Sequence, residues 1–215
     1  MTRDSVLGAG DSAEYHFVTS WRVQGTCGEV ADVLGDPLRL AVWWPSVYLK
    51  VEEIEPAQTE NGIGRRVRLL TKGWLPYTLQ WDFVVLDSQY PHGSTIAATG
   101  DFEGTGVWTF RQDGDSVDIT YDWRIRATKP LLRHLSPLLR PLFEANHRWA
   151  MAQGEESLVL ELARRRATSD AQRREVPPPP GPTTLAGVAL LGAAVVGVAG
   201  VGYLIYRSRR RSRSG

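Results

Sequence analysis

Apolar and polar residues alternate strictly in the first patterned segment, EYHFVTSWRV, with Tyr15, Phe17, Thr19, Trp21 and Val23 on one side and His16, Ser20, Arg22 and Gln24 on the other. A period of two predicts a strand with one wet face. In TCGEVADVLGDPLRLAVWWP the spacing changes: Val30, Val33 and Leu34 recur at helical intervals, Asp36-Pro37 breaks the run, and Pro45 ends it. Two short helices are predicted. From there to about Lys129 the chain reads as strands. VYLKVEEIE and GIGRRVRLLTKG precede PYTLQWDFVVLDSQ, where Tyr77, Leu79, Trp81, Phe83 and Val85 share a face. STIAATGDFEG, GVWTFRQDG and SVDITYDWRIRA follow, with turn signals at Pro91-His92-Gly93 and Asp113-Gly114-Asp115. In the last strand Val117, Ile119, Tyr121, Trp123 and Ile125 alternate with Asp118, Thr120, Asp122, Arg124 and Arg126.

A long helix is predicted from about Pro137 to Arg164, because Phe143, His147, Met151, Gly154, Leu158 and Leu162 recur every three or four residues and form one apolar stripe. The inner face of the sheet is the surface available to cover that stripe. Short connections imply an antiparallel meander. The predicted class is therefore α+β: a curved antiparallel sheet of about seven strands, two short helices, and a long helix gripped by the sheet.

Outside this unit the chain changes character. Residues 1 to 14 form a polar leader, 15 to 163 carry the periodicities, and 164 to 184 read as a linker. The linker begins with RRRATSDAQRRE, expected to continue the preceding helix, and then VPPPPGPT, where proline favours an extended stalk that holds the domain off a surface. Leu185 to Tyr206, LAGVALLGAAVVGVAGVGYLIY, has no charged residue over twenty-two positions. As a helix it would span about 33 Å, enough to cross a hydrocarbon core. Tyr203 and Tyr206 stand where interfacial aromatics belong, and the Arg-rich tail 207 to 215 follows. A single-pass, tail-anchored membrane protein is expected. Ala189, Ala193 and Gly197 provide a small-residue face for homo-oligomeric packing of that helix.

Charge divides along the same boundary, with 15 basic against 22 acidic residues over 1–162 and 10 against 2 over 163–215. The acidic domain argues against nucleic acid as a partner, whereas the basic flanks suit anionic lipid headgroups or serve to stop and orient the helix. Cys27 is the one cysteine, which excludes an intramolecular disulfide, and MTRDSVLGAGDSAEY has no apolar signal core. The domain is therefore expected on the cytoplasmic side, although arginines flank the apolar segment at both ends.

The order of elements, with WWPSV after the helix pair and FEANHRWAMAQGEESLVLEL at the end, resembles the START-like helix-grip superfamily, also called SRPBCC. The likeness is strongest to its polyketide cyclase/dehydrase or lipid-transport branch and covers residues 15 to 163. It implies a deep cavity between sheet and long helix that holds a hydrophobic small molecule, either lipid-like or polycyclic aromatic. Such a cavity would be lined by Tyr77, Trp81, Tyr121 and Trp123 from the later strands and by Phe143, His147 and Met151 from the helix. Trp43, Trp44 and the loop Gly73-Trp74-Leu75-Pro76 would form its mouth. The function implied is a membrane-anchored binding module, with a cyclase/dehydrase-type enzyme as the alternative.

Candidate chemistry is sparse. His147, next to Asn146 on the sheet-facing stripe, is the candidate acid/base, since imidazole titrates near neutrality; a histidine bonded to backbone or to a buried hydroxyl is the competing reading. Strand parity can turn Arg65 and Asp101 inward, a pair able to meet a carboxylate or an enol. GIGRRV and EGTGVW lack the third glycine and the strand-to-helix setting that phosphate loops need and read as hairpin turns or bulges. Cys27 reads as structural. No metal-ligand spacing is present, and no cofactor is expected. Gly154 reads as a point of close approach between helix and sheet, or as an opening for ligand. The eight tryptophans serve mainly as core.

Overall fold

A computed structural model describes residues 14–128 and 130–183, excluding the side chains of 130–140. The span read at Leu185–Tyr206, its helix-packing face and the Arg-rich tail lie outside the described residues. Among the described residues no helix is long and apolar enough to cross a membrane.

Strand β1 (Glu14–Gln24) leads into α1 (Cys27–Leu34), a 3-10 turn (Pro37–Arg39) and α2 (Leu40–Trp43). Six strands follow: β2 (Tyr48–Glu55), β3 (Arg66–Lys72), β4 (Thr78–Ser88), β5 (Gly93–Gly100), β6 (Phe102–Asp113) and β7 (Ser116–Ala127). The chain then forms α3 (Pro130–Arg166) and α4 (Asp170–Glu175). All seven strands join one antiparallel sheet in the order β1-β7-β6-β5-β4-β3-β2. Consecutive strands pair as a meander from β2 to β7, and β1 closes on the last strand, so the first and last strands of the domain are neighbours. Register shifts at Val85/Asp87 and at both ends of β2 bend the sheet. The curved inner face wraps the apolar stripe of α3.

Period-two alternation decides which side chains enter the core. On β1 Tyr15, Trp21 and Val23 are buried, with Phe17 and Thr19 half-buried between them. On β7 Val117, Ile119, Tyr121 and Trp123 are buried. The outer face carries ion pairs across strands, among them Arg22 with Asp118 and Arg68 with Asp82. On α3 Met151, Leu158 and Leu162 are buried, and Leu158 is wholly excluded from solvent. Burying a leucine this way stabilises by roughly 1.5–3 kcal/mol.

Helix α1 starts at a capping box, in which the Thr26 side chain accepts from the Glu29 N–H and the Glu29 carboxylate accepts from the Thr26 N–H. Glu29 also accepts two bonds from Arg166 at the end of α3, at 2.6 and 3.0 Å, and this charge-assisted contact holds its carboxyl down at about 2. One carboxylate thus caps α1 and ties it to the far end of the long helix.

Three sequence expectations change here. Helix α3 begins at Pro130, seven residues before the expected start. The basic segment after it is a separate helix, because Ser169 caps α4 by accepting from the Gln172 N–H and so marks a new helix start. The prolines do not project as a stalk. Val176, Pro179, Pro180 and Thr183 are half-buried while Pro177, Pro178, Gly181 and Pro182 are exposed, the one-sided pattern of an extended proline helix lying on a surface.

Candidate functional site

Between the inner sheet face and the first described half of α3 lies an apolar cavity of about 170 Å³. Strands supply Tyr15 and Phe17 (β1), Leu79 and Trp81 (β4), Phe102 (β6), and Tyr121, Trp123, Ile125 and Ala127 (β7); α3 supplies Phe143, Asn146, His147, Ala150 and Met151. Its deep residues Trp81, Tyr121, Trp123 and Met151 are buried, whereas Lys72, Tyr77, Phe143 and Asn146 are half-buried. The mouth therefore lies between the β3–β4 turn and α3. A second cavity of about 120 Å³ sits toward α1, α2 and the β2–β3 loop. Trp44, Tyr48, Trp81, Tyr121 and Met151 line both and form a partition between them.

The walls are held by ring packing. Trp108 stacks on Tyr121 with centroids 4.0 Å apart, and Tyr121 on Trp123 at 5.5 Å. Trp81 meets Phe102 at 4.8 Å and Trp123 at 5.9 Å. The Trp81 Nε1–H donates to Thr71 Oγ1 at 3.1 Å, so this wall residue spends its polar atom on the protein. Gly106 in β6 makes the arrangement possible: a Cβ there would lie 2.5 Å from Tyr121 Oη and 2.7 Å from Trp123 Cε3. The segment EGTGVW is thus the interior of a strand rather than a turn, and its second glycine clears space for two rings.

His147 lies flat against Phe17, and its Nε2 is 3.5 Å from Thr19 Oγ1. Burial, aided by the neighbouring Arg148 charge, lowers the imidazole to about 4. It is neutral at neutral pH. Burial, and secondarily Tyr15, pushes the Tyr77 phenol up to about 12, and burial also raises Tyr48 and Tyr121. Among the described residues the lining contains no carboxylate, and Lys72 at the mouth is its one charged residue. Among the described residues no group of His, Cys, Asp and Glu is placed to hold a metal.

The seven residues expected as lining, Tyr77, Trp81, Tyr121, Trp123, Phe143, His147 and Met151, all border this cavity. The expected mouth is different. Trp43 is fully buried in the core, and Trp44 stands in the partition with its indole against Gly154, where a Cβ would be 2.2 Å from the ring. Gly154 thus receives the tryptophan that caps the end of α2 rather than the sheet. Trp74 is half-exposed beside the lining residue Gly73 and does not itself border the cavity. Arg65 and Asp101 do not meet: Arg65 pairs with Glu53 at 3.2 Å by the second cavity, and Asp101 accepts from the Gln80 N–H at the β5–β6 turn. Phe17, Tyr48 and Phe102 were not foreseen as lining. Phe17 shares the apolar face of β1 with Tyr15, the one signal available for it; Tyr48 and Phe102 start their strands, where alternation gives little guidance.

No family model and no curated protein sequence matches this chain. Solved structures do. The Zhui aromatase/cyclase from Streptomyces sp. R1128 superposes with a TM-score of 0.57 at 20% identity, covering 73% of this chain and 98% of that one. The protein TTHA0849 from Thermus thermophilus gives 0.55 at 16% identity, over 68% and 99%. The di-domain aromatase/cyclase StfQ from the steffimycin biosynthetic pathway gives 0.53 at 14%, over 74% and 53%. These likenesses establish the fold: the domain has the helix-grip architecture, a curved antiparallel sheet wrapped on a long helix, that those structures share.

Proposed function

We propose that this domain binds a neutral hydrophobic small molecule, polycyclic aromatic or lipid-like, while Leu185–Tyr206 attaches it to a membrane. The carrying observation is the cavity wall: largely aromatic and aliphatic, without a carboxylate among the described residues, and with its imidazole held neutral. An ionic ligand group buried against the deep walls, away from Lys72, would meet no counter-charge among their described side chains. An engineered apolar cavity of about 150 Å³ takes up benzene, so the outer chamber as it stands suits one ring. A longer ligand needs the partition to part. The test is to purify the full chain from membranes, denature it, and analyse the extract by mass spectrometry. A co-purifying neutral apolar compound supports the reading; an empty chain whose tryptophan fluorescence ignores quinones and fused-ring aromatics overturns it.

The structural neighbours named aromatase/cyclase favour a second reading, cyclase-type catalysis with His147 as acid/base. The imidazole suits that role less than a side chain titrating near neutrality: at about 4 it is a weak proton acceptor, and at pH 7 it is protonated in about one molecule in a thousand. Acid catalysis by it would be correspondingly starved. Turnover of a polyketide-like substrate that His147→Gln abolishes while binding persists would decide for the enzyme.

A further inference from the structure

Helix α3 leaves the domain at the end opposite the cavity mouth. Its last residue, Arg166, donates to the carbonyl of Gln24, the final residue of β1, whereas the cavity is bordered by Tyr15 near the strand's start. Nine residues of strand separate the two, about 30 Å. A chain continuing outward from Arg166 would place whatever follows far from the mouth.

The chain does not continue outward. After α4 it turns back, and Arg164, held by the buried carboxylate of Glu161 at 3.0 Å, donates to the Pro177 carbonyl at 2.9 Å. Six residues later Thr183 is fastened at the other end: Lys72 Nζ donates to its carbonyl at 3.1 Å, and its hydroxyl donates to the Gly73 carbonyl at 3.1 Å. Lys72 and Gly73 both border the cavity. Residues 177 to 183 as an extended proline helix cover about 19 Å. The half-buried positions Val176, Pro179, Pro180 and Thr183 supply the contact along the way. Proline suits such a strap because its fixed backbone leaves little conformational entropy to lose on docking.

We infer that this strap sets the cavity mouth against the lipid surface, so that ligand passes between bilayer and cavity without crossing bulk water. The uncharged run Leu185–Tyr206 begins two positions after Thr183, and Thr183, the docked end of the strap, lies at the rim of the cavity rather than at the far end of the domain. The half-exposed Trp74 and the exposed Pro76 on the same turn are the residues such a surface would meet first. The inference rests on the membrane-attached reading above and adds to it an orientation.

The experiment uses the full chain with Cys27→Ser, reconstituted in phosphatidylcholine/phosphatidylglycerol vesicles. A fluorophore is placed on Pro76→Cys at the mouth or on Asp115→Cys in the β6–β7 turn at the opposite end. Nitroxide-labelled lipid should quench position 76 several-fold more than position 115. Replacing Pro177, Pro178, Pro179 and Pro180 together by alternating Gly and Ser should abolish that difference while the chain stays with the vesicles. The native Trp74 offers a label-free version, read with brominated lipid as the difference between the parent chain and Trp74→Phe. Equal quenching at 76 and 115 in a vesicle-bound chain overturns the orientation alone. A chain that alkaline carbonate releases from the vesicles overturns the attached reading and the orientation with it.

Discussion

The imidazole of His147 lies parallel to the ring of Phe17, centroids 4.1 Å apart and planes 18° apart, so that a helix and an edge strand distant in sequence meet through two flat faces. Stacking of this kind excludes water from one side of the imidazole and is part of why its proton is held so weakly. His147 then couples stability to pH. Its folded value of about 4 lies below the ordinary 6.5, so its contribution is complete above pH 6.5 and is lost as pH falls toward 4. The loss amounts to at most about 3 kcal/mol. His147→Gln should lose less stability between pH 7 and pH 4.5 than the parent chain, as measured by urea unfolding at both values. Equal losses would mean that the imidazole is not held neutral.

Met151 is the partition residue whose truncation disturbs ring stacking least. Met151→Ala should destabilise by about 2–4 kcal/mol and join the two chambers. Binding should shift toward three-ring over one-ring neutral aromatics, read by tryptophan fluorescence titration. An unchanged preference would show that other side chains keep the chambers apart.

Gly154 admits the Trp44 indole where a methyl group would overlap it. Gly154→Ala improves helix propensity by about 1 kcal/mol, yet overpacking of this severity costs about 1–3 kcal/mol. A net loss in unfolding free energy is expected, together with a changed tryptophan emission spectrum as Trp44 is displaced into the cavities. A stabilised variant with an unchanged spectrum would refute the packing argument.

Glu161 is 3% exposed and receives Arg164 and Arg165, with Arg39 at 4.0 Å. Glu161→Gln removes the charge that holds Arg164 beneath Pro177. Hydrogen bonds to charged groups contribute about 1.5–3 kcal/mol each, and partial exposure of the arginines reduces that, so about 2 kcal/mol of destabilisation is expected. The same variant should free the strap, seen as faster proteolysis within residues 167–176. Unchanged cleavage would separate Glu161 from strap docking.

Much of the fold was legible because each strand buries one face and shows it as alternation, and because the α3 stripe repeats at helical spacing. The seven expected lining residues sit where that periodicity points inward. What escaped depends on contacts that no local pattern encodes. Trp43 and Trp44 are adjacent and chemically alike, yet one is sealed in the core and the other divides the cavity, a distinction made by Gly154 more than a hundred residues away. Parity suggested Arg65 and Asp101 as a pair, but they lie at opposite ends of the sheet. The proline segment disclosed its extended backbone through composition, whereas its path is set by Arg164, Lys72 and Gly73, none of them adjacent to it in sequence.

The neutral cavity wall also bears on kinetics. Where a site recognises its ligand by charge, capture accelerates as salt is lowered because long-range attraction gathers the ligand. Here the deep walls, as far as the described residues form them, carry no formal charge at neutral pH, and the Lys72 ammonium is bonded to the Thr183 carbonyl. Uptake and release should therefore be indifferent to ionic strength and governed by how readily the ligand leaves its previous apolar surroundings. On the proposed reading of a membrane-attached domain that binds a neutral ligand, residence time follows ligand hydrophobicity, and a cell could change the occupancy of this protein by altering lipid composition without altering the protein itself.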